Sequence, residues 1–287
     1  MLEKFIKYQS LGNNFILFDW YQASQDSVMQ QLDALTWASF VRTICDRNIG
    51  VGADGVLILK KNTQDNIPEM LIFNADGTQA ETCLNGLRCV THYLVIKHKF
   101  PEKFFIKLGK RTIECVIERD RNLLITNNIG SIEYHGEKTL SIITENQKTF
   151  YGHVVSVGNP HFVIFKETNL DWLTKFGNLL ESHEIFPNKS NIEFVWQEPV
   201  KNPEKNSDGY QRYNVLVYER GCGITQACSS GAAAITGLLY KLKKIIPNQK
   251  IELLMLGGSV ISWVDDNEHV FLQAGAQEVF SGILNNS

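Results

Sequence analysis

Two cysteines in this chain stand in the same short motif, Cys83-Leu84-Asn85-Gly86 and Cys228-Ser229-Ser230-Gly231, 145 residues apart, and an apolar helix-like stretch follows each. A thiol at a helix start meets backbone N–H groups and the positive end of the helix dipole, which lower its pKa from a free value of about 8.5. Inverting a tetrahedral Cα–H needs a base on one face and an acid on the other. A thiolate and a neutral thiol can do this in either direction, exchanging roles each time. The same N–H groups can hold a substrate carboxylate and stabilise the negative charge that develops as Cα loses its proton. No pyridoxal cofactor is then required. One Cys-xx-Gly alone would read as a buried thiol near a helix start; the duplication is what points to chemistry. Cys45, Cys89, Cys115 and Cys222 occupy no repeated position and read as ordinary small hydrophobes.

The elements that must position the two thiols repeat with them. Ser10-Leu11-Gly12-Asn13 matches Ser156-Val157-Gly158-Asn159 at an offset of 146, and Met70-Leu71-Ile72-Phe73 matches Val215-Leu216-Val217-Tyr218 at 145. Short β-branched or aromatic runs at 15–18, 56–59, 70–73, 154–157, 163–165 and 215–218, bounded by Gly, Asn or Pro, predict strands. Helical spacing predicts helices over 86–99 and 231–244. A duplicated αβ unit follows, its two copies related by a pseudo-twofold axis that lets the cysteines face each other. The stretches 62–68, 199–210 and 246–250 read as surface loops, and 119–128 as a crossover between halves.

A length of 287 residues, 44% of them hydrophobic, favours two domains, since single cores stop growing at roughly 250 to 300 residues. The net charge of -3 gives no electrostatic reason to expect nucleic acid or an anionic membrane surface. The N-terminal residues lack a signal-peptide pattern, and the most apolar helical stretch is too short to cross a bilayer, so a cytoplasmic protein with a small-molecule partner is expected. Six cysteines without a CxxC pair, and seven histidines without paired ligand spacing, offer neither a disulfide framework nor a metal site.

The motifs Ser10-Leu11-Gly12-Asn13-Asn14-Phe15, Gly50-Val51-Gly52-Ala53-Asp54-Gly55, Phe73-Asn74-Ala75-Asp76-Gly77, Gly158-Asn159-Pro160-His161, Asn191-Ile192-Glu193-Phe194 and Tyr218-Glu219-Arg220-Gly221 run along nearly the whole chain. With the two cysteine motifs, they resemble diaminopimelate epimerase. The resemblance implies an α+β fold of two pseudo-symmetric αβ domains, each a curved, mainly antiparallel sheet wrapped around a central helix, with the site in the cleft between them. The halves would be 1–121, joined by a returning strand in 274–287, and 122–273. It implies no cofactor and no metal, a diaminopimelate substrate, a homodimer, and a place in lysine and peptidoglycan precursor synthesis.

By the same resemblance Cys83 and Cys228 match the base and acid pair. The N–H groups of Leu84, Asn85, Ser229 and Ser230 would hold the reacting carboxylate, and Asn13 and Asn159 would line the cleft. Asn74, Asn191 and Arg220 match the groups that bind the distal end, where a guanidinium can grip a carboxylate bidentately. His161 and Glu219 match residues beside the cysteines and the reacting amine. The chain departs from the family at Asn14, usually Asp; at Leu84 and Ser229, commonly Gly; and at Ile224, frequently Glu. Competing readings are a racemase of another amino acid on the same fold, a thiol redox protein cycling through a disulfide, and a non-catalytic binding protein.

Overall fold

The computed structural model describes residues 3–21, 33–62, 64–80, 82–119, 123–142, 148–198 and 209–284. The chain divides into two compact units, Met1–Asn127 with Ala274–Ser287, and Asn128–Gln273. In the first, β1 (Glu3–Ser10) and β2 (Asn13–Asp19) precede α1 (Ala34–Cys45), and β3 (Gly55–Lys61), β4 (Pro68–Asn74) and β5 (Gln79–Ala80) lead into α2 (Leu84–Lys97). Then come β6 (Lys103–Leu108), β7 (Arg111–Arg119) and β8 (Leu123–Gly130), which runs past Asn127. The second unit has β9 (Glu133–Ile142), β10 (Lys148–Ser156), β11 (Pro160–Ile164), α3 (Leu170–Glu181), β12 (Asn191–Gln197), β13 (Gln211–Glu219) and β14 (Gly223–Ile224). It closes with α4 (Ser229–Lys241), β15 (Ile251–Met255), β16 (Gly258–Val264) and β17 (Val270–Gly275), and β18 (Gln277–Leu284) returns to pair with β1.

Each unit builds the same motif. A hairpin (β1–β2 or β10–β11) is followed by a helical crossover to a parallel neighbour (β3 or β12), as parallel pairing demands. Antiparallel pairing then carries the chain to β4 or β13, and α2 or α4 crosses over to a second parallel neighbour, β6 or β15. Alternation along the strands gives each sheet two apolar faces. Ile16, Phe18, Val56 and Ile58 pack with Trp37, Val41 and Ile44 of α1; Phe162, Ile164, Ile192, Phe194 and Leu216 pack with Leu173 and Leu180 of α3. The opposite faces receive α2 and α4, which are buried nearly all round, as helices enclosed by a curved sheet must be.

The strands expected at 15–18, 56–59, 70–73 and 215–218 lie within β2, β3, β4 and β13. Both central helices start two residues earlier than Gly86 and Gly231, and they stop at Lys97 and Lys241. Beyond those ends, Lys99 and Lys243 take φ of 58° and 57°, a left-handed terminus usually marked by Gly and here invisible in the residue type. The crossover read at 119–128 is mostly strand. Its polar Thr126 and Asn127 are buried, Asn127 Nδ2 donating to Cys115 Sγ at 3.5 Å, so polarity there does not mark a loop. Residues 120–122, where the sequence reading put the boundary, and most of the loop at 199–210, lie outside the described residues. Among the described residues, no helix is long and apolar enough to cross a membrane.

Candidate active site

Cys83 and Cys228 are the N-cap residues of α2 and α4, in extended backbone conformation. Each Sγ accepts the N–H of the glycine three positions on, Gly86 or Gly231, at 3.3 Å. A sulfur thus takes the place that a Ser or Asp oxygen holds in an ordinary cap. Leu84 and Ser229 are the first helical residues and neither has a positive φ, so the family's glycines there are not needed for backbone shape and the N–H groups survive.

In the second unit, three adjacent strands present polar side chains to the start of α4. Residues of one parity face the apolar cluster under α3, so the others, His161 of β11, Asn191 and Glu193 of β12 and Glu219 of β13, face α4. His161 and Glu193 are fully buried, Nδ1 lying 2.6 Å from Glu193 Oε1. His161 Nε2 is 3.2 Å from Asn159 Oδ1; Asn159 Nδ2 is 3.4 Å from Ser230 Oγ; Ser230 Oγ is 3.3 Å from Cys228 Sγ. Thr225 Oγ1 donates to Glu219 Oε1 at 2.5 Å. Burial raises the carboxyl pKa of Glu219 against that hydrogen bond. Burial, then the carboxylates of Glu219 and Glu193, push the Cys228 thiol well above its usual value, while the Ser230 hydroxyl and Gly231 N–H pull the other way. The lowered thiol expected from the helix start alone is therefore reversed at Cys228: desolvation and two like charges outweigh the dipole.

In the first unit, Asn85 Nδ2 donates to Asn13 Oδ1 at 2.9 Å, and Asn85 Oδ1 accepts from the Arg88 guanidinium. Arg88, wholly buried, also donates through Nε to Ser10 Oγ at 3.0 Å. Burial brings its pKa down to about 10, offset by Cys89 and Cys83, so at neutral pH it is a cation that favours a Cys83 thiolate. The sequence reading missed Arg88, because inside a helix an arginine ordinarily marks a solvated face.

Asn191, expected at the substrate's distal end, uses its amide on the backbone. Its Nδ2 donates to Pro160 O at 3.0 Å and its Oδ1 accepts from Arg220 N at 2.9 Å. Buried Glu181 accepts the next N–H, of Gly221, at 2.7 Å. Two side chains thus fix the turn that carries Arg220, whose guanidinium is exposed and donates to Asn188 O at 3.3 Å. Asn74 is exposed, at the end of β4, its Nδ2 bonded to Thr78 Oγ1 at 3.0 Å.

The other departures have local explanations. Asn14 donates through Nδ2 to Asp54 Oδ2 at 2.9 Å and accepts from Lys7 Nζ at 2.6 Å, a bridge that needs a group able both to donate and to accept. Ile224 packs against the apolar cluster under α3.

The family model described as diaminopimelate epimerase matches residues 5–134 and 153–279. A diaminopimelate epimerase of Carboxydothermus hydrogenoformans is 33% identical over 296 residues, covering 97% of this chain and 98% of that protein. One from Prochlorococcus marinus is 30% identical over 297 residues, covering 98% and 99%. Among solved structures, a phenazine biosynthesis protein of the PhzF family from Bacillus anthracis superposes with a TM-score of 0.75 at 11% identity, over 99% of both chains. A hydroxyproline epimerase from Agrobacterium vitis gives 0.67 at 11% identity, over 99% of this chain and 91% of that one. These two likenesses concern the fold.

Proposed function

Because the chain belongs to the diaminopimelate epimerase family, we propose that it interconverts LL- and meso-diaminopimelate with Cys83 and Cys228 as the two-base pair, without metal or pyridoxal cofactor. The observation that supports this best is the matched pair of capping thiols, each with its Sγ 3.3 Å from a helix-start N–H. In one direction a thiolate takes the Cα proton and the opposite thiol returns one to the other face. The ionisation states end exchanged and no net proton is consumed. The first-turn N–H groups of α2 and α4 receive the reacting carboxylate, where fixed donors stabilise the carbanion's charge. With burial first, and then the Glu219 carboxylate, holding Cys228 in its protonated form, Cys228 is the resting acid and Cys83, supported by Arg88, the resting base.

Arg220, with Asn74, recognises the distal carboxylate, and Asn191 acts chiefly by fixing the turn beneath Arg220. Asn13 and Asn159 orient the substrate, and Glu219 and His161 support the Cys228 side. Family membership also supports a cytoplasmic homodimer acting in lysine and peptidoglycan precursor synthesis. Incubating the enzyme with LL- and meso-diaminopimelate and with a panel of monocarboxylate amino acids tests the substrate. Either diaminopimelate isomer should be converted to the other. Racemisation of a monocarboxylate, with neither isomer converted, would replace this reading by that of another racemase on the same fold.

A further inference from the structure

The two units are each other's control, because corresponding positions can be compared within one chain. Gly86 and Gly231 both sit where an added Cβ would lie 2.8 Å from a side chain of the neighbouring strand: Leu57 Cδ2 in the first unit, Glu193 Oε1 in the second. Parallel pairing sets Phe15 opposite Gly55 and Leu17 opposite Leu57, as it sets His161 opposite Asn191 and Val163 opposite Glu193. Phe15 and Leu57 therefore fill the places that His161 and Glu193 fill behind Cys228. All four are buried, so the fold does not require a charged pair there. A second difference complements the first. Arg88 lies five residues after Cys83, and the residue five after Cys228 is Ala233. The first unit keeps a buried cation beside its thiol; the second has an alanine at that place and a His–Glu pair across the sheet instead.

We propose that Glu193 is a positioning residue that holds His161 doubly protonated and so orients a hydrogen-bond chain, through Asn159 and Ser230, that supports a thiolate at Cys228. The inference rests on the assignment of Cys228 as a catalytic thiol. Double protonation sets the direction of each link. With a proton on each nitrogen, His161 donates through Nδ1 to Glu193 Oε1, 2.6 Å away, and through Nε2 to Asn159 Oδ1, 3.2 Å away. That contact turns the Asn159 amide nitrogen to Ser230 Oγ, which accepts its N–H and so keeps its own O–H free to donate to Cys228 Sγ. With one proton on His161, Nε2 becomes an acceptor, the Asn159 amide turns over, and the Ser230 oxygen faces the sulfur as an acceptor for S–H. The chain thus matches two thiol states to two hydrogen-bond senses. Glu193 sits against the first turn of α4, where the dipole favours a carboxylate, and its Oε2 is buried with no hydrogen-bond partner among the described residues. The titratable groups facing the pair among the described residues are Glu219 from β13 and Cys228 at the start of α4.

The test needs no turnover. Side-chain 15N NMR of histidine-labelled wild type at pH 7.5 should show both His161 nitrogens protonated. Alkylation of Cys228 by iodoacetamide, followed site by site by mass spectrometry across pH, should be about tenfold slower at pH 7.5 in Glu193→Gln, with Cys83 unchanged. The sign is diagnostic, because if Glu193 acted only as a nearby negative charge its neutralisation would speed alkylation. The double variant His161→Phe with Glu193→Leu, which rebuilds the first unit's apolar pair, should slow Cys228 to the same extent. A neutral His161 in wild type, or alkylation of Cys228 that is unchanged or faster in a folded variant, overturns the proposal. Loss of the diaminopimelate assignment would show in turnover and leave these readouts untouched.

Discussion

Replacing Gly231 by alanine probes how rigidly the buried pair is held, and Gly86→Ala supplies the comparison. In both helices an alanine gains about 0.5–1 kcal/mol over glycine through reduced backbone freedom. Both new methyls meet a neighbour at 2.8 Å. At position 86 the neighbour is Leu57 Cδ2, the end of a rotatable side chain, so the clash and the gain should nearly cancel. At position 231 it is Glu193 Oε1, fixed 2.6 Å from His161 Nδ1, with Glu193 Cγ at 3.3 Å and Cys228 Cβ at 3.4 Å also in the way. Overpacking against a group that cannot yield costs toward the upper end of the usual range, about 2–3 kcal/mol, leaving a net loss of about 1–2.5 kcal/mol after the helix gain. Thermal denaturation should show Gly231→Ala melting roughly 2–8 °C below wild type, and Gly86→Ala within about 2 °C of it. Equal melting of the two variants would refute the claim that the carboxylate is locked in place.

Asn191→Ala frees the turn under Arg220 and should raise KM for diaminopimelate roughly tenfold with a smaller change in kcat, the pattern of lost binding rather than lost chemistry; an unchanged KM counts against the role given to that turn. Glu219→Gln removes the stronger of two like-charge effects on Cys228 and should speed its alkylation at pH 8, opposite in sign to Glu193→Gln. Stability should fall on the alkaline side. Burial raises the thiols of Cys45 to about 11 and Cys115 to about 12, so above pH 9 the unfolded chain loses protons that the folded one keeps. Each such thiol costs up to about 1.4 kcal/mol per pH unit between its unfolded and folded values. Cys115→Ser, which retains a partner for Thr91 and Asn127 but does not titrate there, should flatten the decline measured by urea unfolding between pH 9 and 11; an unaltered slope would exclude Cys115 as a contributor.

The candidate thiol pair was legible in the sequence because a repeated Cys-xx-Gly before a helix is a pattern in one dimension. So were the strands nearest it, whose β-branched runs lie between glycine turns. Helices α1 and α3 went unread although Asp33 and Asn169 cap them and Trp37, Val41 and Ile44, or Leu173 and Leu180, recur at helical spacing. Glu193 carried a signal too, as an acidic residue inside the otherwise apolar run Ile192-Glu193-Phe194-Val195. What the sequence hid was burial and partnership. Nothing local marks Arg88 as enclosed, and the bridge from Lys7 through Asn14 to Asp54 spans residues 40 or more apart in the chain. Helix position alone also misjudged the Cys228 thiol, because burial, and then the charge of Glu219 arriving from β13, oppose its ionisation.

The direct measurement is incorporation of solvent deuterium at Cα of a purified diaminopimelate isomer by wild type, Cys83→Ala and Cys228→Ala. Wild type should label the inverted product, and neither variant should invert the centre while both retain the fold. Inversion near the wild-type rate by either variant would contradict the two-thiol account.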